Sequence, residues 1–114
     1  TVSVAEFSVE YPANIQAQLI RIVQEALSNV RKHAAATTVN ILGRQEGDTY
    51  LIEIRDNGRG FTPESGDVER SSHYGLRGMR ERSESIGADF QITSQPGMGT
   101  CVSLHVPVEV KEEL

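Results

Sequence analysis

The sequence predicts a two-layer α/β sandwich: a mixed, mostly antiparallel sheet with helices on one face. Segments of period 2 and period 3.6 alternate along the chain in the order strand, helix, two strands, polar loop, helix, two strands. Both helical segments carry a single apolar stripe, so each has one face to bury. With 114 residues, 38% hydrophobic and 24% charged, the chain suits one core rather than two. A single domain over residues 1–114 is therefore expected.

Val2, Val4, Phe7 and Val9 alternate ahead of Tyr11-Pro12, which marks a short edge strand stopped by the proline. Residues 13–35 contain neither glycine nor proline. Within them Ile15, Leu19, Ile22, Val23, Ala26, Leu27 and Val30 recur at helical spacing, giving one long amphipathic helix. Residues 38–44 and 49–56 are rich in β-branched side chains and are joined by Gln45-Glu46-Gly47-Asp48, a hairpin pattern. Residues 57–74 hold Gly58, Gly60, Pro63 and Gly66 but few apolar residues, and a polar stretch of that length is expected to be a functional loop or lid. Helical spacing returns over residues 75–86 through Leu76, Met79, Arg82 and Ile86, with Gly87 as the stop. Residues 89–94 and 100–107 alternate as strands around the turn Gln95-Pro96-Gly97-Met98-Gly99, and residues 109–114 form a charged tail.

Composition excludes several functions. A formal net charge of -5 opposes the basic footprint needed for phosphate-backbone binding, so nucleic acid is not an expected partner. The lone cysteine, Cys101, permits no internal disulfide and suits a reducing, cytoplasmic setting; in its strand it reads as a small buried hydrophobe. His33, His73 and His105 lack metal-ligand spacing, which argues against zinc. The chain starts at Thr1 and shows neither a signal-peptide pattern nor a long apolar run, so a soluble fragment of a longer protein is expected. Neither G-x-x-x-x-G-K-[ST] nor a Rossmann glycine pattern occurs. Any nucleotide must be bound by another architecture.

On a wheel of about 100° per residue, Glu25, Asn29 and Lys32 share one shoulder of the apolar arc. They form either a solvated helix edge or a pocket rim where the Asn29 oxygen could ligate Mg²⁺ and Lys32 could meet a phosphate. His33 projects near the apolar arc and is either packed at the helix end or a phosphate contact. In residues 49–56, period-2 alternation puts Asp56 on the face of Tyr50, Ile52 and Ile54. A carboxylate pointing where apolar residues point needs a donor, and the exocyclic amine of adenine would serve. Gly58 and Gly60 are either turn residues or points of close approach to a flat ring. Gly75 opens the second helix, whose N-terminal amides favour an anion, and Gly78 keeps its first turn accessible; both could instead serve flexibility and helix packing. Gly97 and Gly99 make a hairpin turn, with Thr100 starting the next strand.

Taken together these segments resemble the GHKL ATPase superfamily, and within it the sensor histidine kinases of the nitrate-sensor and degradation-sensor type. The run Ile22-Val23-Gln24-Glu25-Ala26-Leu27-Ser28-Asn29-Val30-Arg31-Lys32-His33-Ala34 resembles the N box, and Asp56-Asn57-Gly58-Arg59-Gly60-Phe61 the first glycine box. His73-Tyr74-Gly75-Leu76-Arg77-Gly78-Met79-Arg80-Glu81-Arg82 is similar to the second glycine box, and Gln95-Pro96-Gly97-Met98-Gly99-Thr100 to the last. The resemblance implies a Bergerat ATP-binding fold, with ATP and Mg²⁺ bound between the helices under a lid. It implies that Asp56 accepts from the adenine amine, Asn29 ligates Mg²⁺, and Lys32 and His33 touch phosphate. Gly58 and Gly60 would border the nucleotide. Gly75, Leu76 and Gly78 would supply lid-hinge and helix-terminus contacts, and Thr100 would hydrogen-bond near the adenine. Glu25 would act in the Mg²⁺ shell or as a base.

Nothing in the chain resembles the acceptor-histidine motif of these kinases, and the separate phenylalanine-rich motif of other branches is absent. The expected partners are therefore ATP, the acceptor-histidine helical domain of the same kinase and, indirectly, a response regulator. The parent is expected to dimerise through the missing domain, leaving the isolated domain monomeric. Two alternative functions share the fold: an anti-sigma-factor-type serine kinase, and a nucleotide-gated, non-catalytic interaction module. The segment from Gly75 to Ala88 fits the sensor kinases better, and intact Glu25, Asn29 and Asp56 argue against a degenerate module.

Overall fold

The computed structural model describes residues 2–4 as backbone, and residues 11–60 and 75–108 in full. Elements follow in the order β1 (Val2–Val4), α1 (Ala13–Asn29), a π-helical turn (Val30–Ala34), β2 (Val39–Glu46), β3 (Thr49–Asp56), α2 (Leu76–Ser85), β4 (Asp89–Ser94) and β5 (Thr100–Pro107). The five strands form one sheet in the spatial order β1-β2-β3-β5-β4, parallel at β1–β2 and antiparallel elsewhere. The predicted mixed, mostly antiparallel sheet is present. Most of the expected lid and the charged tail fall outside the described residues, as does the first strand beyond Val4.

Register explains the core. Ile41, Ile54, Val102 and Ile92 pair across four strands, and the next inward row holds Ile52, Leu104 and Phe90. Both helices cover this face: Ile15, Ile22 and Ala26 of α1 and Leu76 and Met79 of α2 join the strand residues in one buried cluster. Tyr11 closes the far end with its hydroxyl directed at the Val106 carbonyl at 3.5 Å; burial, then the neighbouring Tyr50, pushes its pKa upward.

The hairpin between β2 and β3 is tighter than the four residues read from the sequence. Strand pairing continues to Glu46↔Thr49, leaving a two-residue turn in which Gly47 takes φ 60. In α2 the buried i+7 position after Leu76 belongs to Ser83 rather than Arg82. Ser83 is fully buried because its hydroxyl donates back to the Met79 carbonyl at 2.7 Å, whereas half-buried Arg82 reaches across to Gln18 of α1 at 3.0 Å. The helix ends as Gly87 predicts: Gly87 N donates to Glu84 O and Ala88 N to Ser83 O, a Schellman pair around a glycine at φ 73. Cys101 lies on the outer face of the sheet and is only half-buried, near Ser103, because alternation from Val102 turns it away from the core.

The long first helix departs from its expected form. Its α-helical part stops at Asn29, a π turn carries the chain through Ala34, and Ala35 ends it in the left-handed region at φ 51, ψ 36. Ala35 is the one non-glycine residue with positive φ among the described residues. A left-handed alanine costs about 1–2 kcal/mol and a glycine's extra chain entropy about 0.5–1 kcal/mol. Ala35→Gly is therefore expected to stabilise the fold by roughly 0.5–1 kcal/mol, read as a rise of a few degrees in the thermal midpoint; a fall would contradict the left-handed geometry.

Candidate nucleotide-binding site

At one end of the core face the inward row changes character. Val39, Asp56, Thr100 and Ser94 pair across β2, β3, β5 and β4, so one carboxylate and two hydroxyls stand where the neighbouring rows hold Ile, Val, Leu and Phe. Above that row, under α1 and the π turn, lies a pocket of about 490 Å³ of empty space including its mouth. Its polar lining is Asn29, His33, Asp56 and Thr100, and Gly60 forms part of its wall. Apolar side chains supply the rest, including Ala26, Ile54, Leu76 and Val102. A largely apolar cleft with a few converging polar groups is the usual form of a small-molecule site.

Asp56 is 8% exposed. Its Oδ1 accepts the Gly58 amide at 2.7 Å, while Oδ2 has no partner among the described residues. Oδ2 is therefore the part of this side chain left accessible, and a carboxylate oxygen set among apolar walls favours a ligand that brings a donor. Thr100 stands directly opposite Asp56 in the ladder, and its hydroxyl meets Ser94 Oγ at 2.8 Å; Ser94 Oγ in turn lies 3.0 Å from Gly99 O. Ser94 carried no signal in the sequence, where it is one of several strand serines, yet it orients the Thr100 hydroxyl.

The loop after Asp56 is fixed on both sides. Asn57 Oδ1 accepts from Thr37 N at 2.9 Å and Thr38 N at 3.0 Å, and its amide donates to Thr37 Oγ1 at 2.8 Å. Arg59 N donates to Ala34 O at 2.7 Å, and Gly97 N donates to Arg59 O at 2.6 Å. The packing around the loop leaves no space for side chains at three glycines, one of them Gly60, whose Cβ would strike Gln95 O. A Cβ on Gly58 would stand 2.6 Å from Ala34 Cβ and run into Ala34 O, and one on Gly99 would strike Asp56 O. Gly58 and Gly99 thus serve close backbone approach within the protein, which holds Asp56 in place. No pattern in the sequence connects Asn57 or Arg59 to partners about twenty residues or more away.

The π turn rearranges the predicted helix shoulder. An i→i+5 turn advances each residue less around the axis than an α-helix does, so positions beyond Asn29 fall out of phase with the wheel. His33 and Ala34 consequently face the pocket, while Lys32 is exposed and lines no described pocket wall. Glu25, four residues before Asn29, lines a separate groove between α1 and α2 with Arg21, Ser28, Gly75, Gly78 and Arg82. Gly75, at φ 63, lies against the Glu25 side chain, so a Cβ there would collide with its carboxylate. A Cβ at Gly78 would meet nothing within 4 Å, in keeping with an accessible first turn. Among the described residues no side chain caps α2, and helix N-terminal amides favour an anion.

A family model described as histidine kinase-, DNA gyrase B- and HSP90-like ATPase matches residues 14–110. The chain belongs to that ATPase family. Among curated relatives, the sensor protein VraS of Staphylococcus epidermidis is 40% identical over 103 residues, covering 90% of this chain and 29% of the relative. VraS of Staphylococcus saprophyticus is 40% identical over 109 residues, 96% of this chain and 30% of its own. The chain thus spans under a third of these sensor proteins. Among solved structures, the blue-light activated histidine kinase of Erythrobacter litoralis superposes with a TM-score of 0.79 at 28% identity, covering 94% of this chain and 35% of that one. The ATP-binding domain of PrrB from Mycobacterium tuberculosis gives 0.72 at 24% identity, 93% and 78%, a likeness of fold.

Proposed function

We propose that this domain binds ATP with Mg²⁺ and presents the γ-phosphoryl group to a histidine on a separate helical domain, the first step of two-component signalling. The observation that carries the reading is Asp56: a buried carboxylate with one oxygen held by Gly58 N, at the floor of an otherwise apolar pocket. Adenine fits that floor. Its exocyclic amine supplies the missing donor, and Ile54, Val102, Ala26 and Leu76 supply flat apolar walls for the ring. Thr100, oriented by Ser94, offers a second hydrogen bond beside Asp56. Gly60 contributes to the wall with its main chain, packed against Gln95 and Gly99.

Phosphates leaving this pocket pass Asn29 and His33 towards the amides that open α2 at Gly75, Leu76 and Gly78. Lys32, exposed and outside the pocket lining, receives no direct contact in this arrangement. Among the described residues no cluster of three or more His, Cys, Asp or Glu could hold a metal. Mg²⁺ carried in by nucleotide needs no such cluster, because this ion keeps several waters and takes only one or two protein ligands beside phosphate oxygens. Asn29 Oδ1 would supply one, and the ion would neutralise phosphate charge. Glu25 faces the adjoining groove, where it can act through an outer-shell water or on an incoming acceptor. Phosphoryl transfer depends chiefly on alignment and charge neutralisation, which is what these side chains provide.

The similarity to the blue-light activated histidine kinase of Erythrobacter litoralis favours a histidine rather than a serine acceptor. The 114-residue chain is accordingly one ATP-binding domain; the acceptor histidine, the dimer interface and the link to a response regulator lie in other domains. No helix among the described residues is long and apolar enough to cross a membrane. We place the domain in the cytoplasm, where ATP is available, whether or not its parent is membrane-anchored. Titration calorimetry of the folded domain tests the reading. One-to-one ATP binding is expected, strengthened roughly tenfold by Mg²⁺ as a metal-shared phosphate contact forms. Asn29→Ala should retain binding but lose the Mg²⁺ dependence. An unchanged dependence would move the metal elsewhere, and no binding by the folded wild type would overturn the proposal.

A further inference from the structure

We infer that Arg59 is a positioning residue which holds the end of the first helix in its π register, thereby choosing His33 over Lys32 as the side chain that faces the nucleotide. This rests on the ATP-binding reading above. Residues 13–35 have the composition of one uninterrupted α-helix, yet the chain widens into a π turn at Val30. π turns are rare and frequently lie at functional sites. The last carbonyls of any helix lack intrahelical partners, and here the glycine-box loop supplies them. The Arg59 guanidinium donates through Nε to His33 O, and the Arg59 amide donates to Ala34 O at 2.7 Å. Gly58 lets the loop approach so closely that a Cβ would run into Ala34 O. The Arg59 carbonyl accepts from Gly97 N at 2.6 Å, so one residue ties the N-box helix, the first glycine box and the last.

The consequence for the site is one of phase. Continued as an α-helix, the segment would keep Lys32 on the shoulder with Glu25 and Asn29. In the π register Lys32 is exposed, and His33 joins Asn29 and Asp56 in the pocket wall. Arg59 touches the carbonyls of the turn and does not line the pocket, so it acts on ATP through the turn it holds.

ATP affinities of Arg59→Ala, His33→Ala, Lys32→Ala and the two double variants, measured by calorimetry, test this. Loss of one charge-assisted hydrogen bond corresponds to roughly tenfold in affinity, the scale expected for Arg59→Ala. His33→Ala should weaken binding by about fivefold in the wild-type background and add little to Arg59→Ala. Lys32→Ala should be near silent alone and cost several-fold beside Arg59→Ala, because release of the turn brings Lys32 inward. Arg59→Lys, which keeps a cationic donor on a long stem, should recover most of the loss. Backbone chemical shifts of residues 30–34 provide a second readout and should move towards α-helical values in Arg59→Ala. The Asn57 bonds and the Arg59 main-chain bond remain in that variant, so the loop stays docked. Independent His33 and Arg59 losses with Lys32 silent throughout, or unmoved shifts at 30–34, would overturn the inference. Failure of the ATP reading itself would look different: Asp56→Asn would then bind as tightly as the wild type.

Discussion

Asp56→Asn is expected to abolish ATP binding while leaving the fold intact. The replacement amide keeps an oxygen for the Gly58 N–H, which Asp56 Oδ1 accepts at 2.7 Å, so the loop geometry survives. The change falls on the other atom, where an NH₂ donor replaces the free oxygen that would meet the adenine amine. Two donors then face each other in a buried site, and the lost charge-assisted bond adds to the unsatisfied group. Together these correspond to about 3 kcal/mol or more, roughly 100-fold or greater in affinity. Calorimetry with a circular dichroism control measures it. Normal affinity in a folded variant would remove adenine from this pocket floor.

Ile22→Ala should produce the largest loss of stability. Ile22 is fully buried where α1 crosses the sheet, inside the cluster shared by both helices and the inward strand rows. Truncating such a side chain costs about 2–5 kcal/mol through lost burial and the cavity left behind. Against a typical domain stability of about 5–15 kcal/mol this is a large fraction, and the thermal midpoint should fall on the order of 10 °C. A fall of only a degree or two would show that the helices can collapse onto the gap. ATP should still bind below the new midpoint, because Ile22 does not line the pocket.

Much of this molecule was legible from residue order alone. Period-2 and period-3.6 patterning are local properties, so they revealed the strands, both helices and the face on which each is buried. The same alternation placed Asp56 on the inward face of β3, and Gly87 marked the end of α2. The four glycine- and asparagine-containing segments, in that order, pointed to the ATPase family that the domain match now shows. All but the last of these inferences depend only on residues close in sequence.

Tertiary structure alone decided how the site residues are divided. A helical wheel assumes a constant angle per residue, and so grouped Glu25, Asn29 and Lys32. The actual turn at Val30–Ala34 is maintained by donors from Arg59, about 25 residues later, which no local pattern encodes. With the chain in that turn Lys32 is in solvent and His33 is at the pocket, while Glu25, on the α-helical part before it, lines its own groove against α2. The alignment of Ser94 with Thr100 and Asp56 is likewise a product of register across three strands. Residue spacing describes what one segment can form; which atoms meet at a site follows from where other segments place their hydrogen-bond donors.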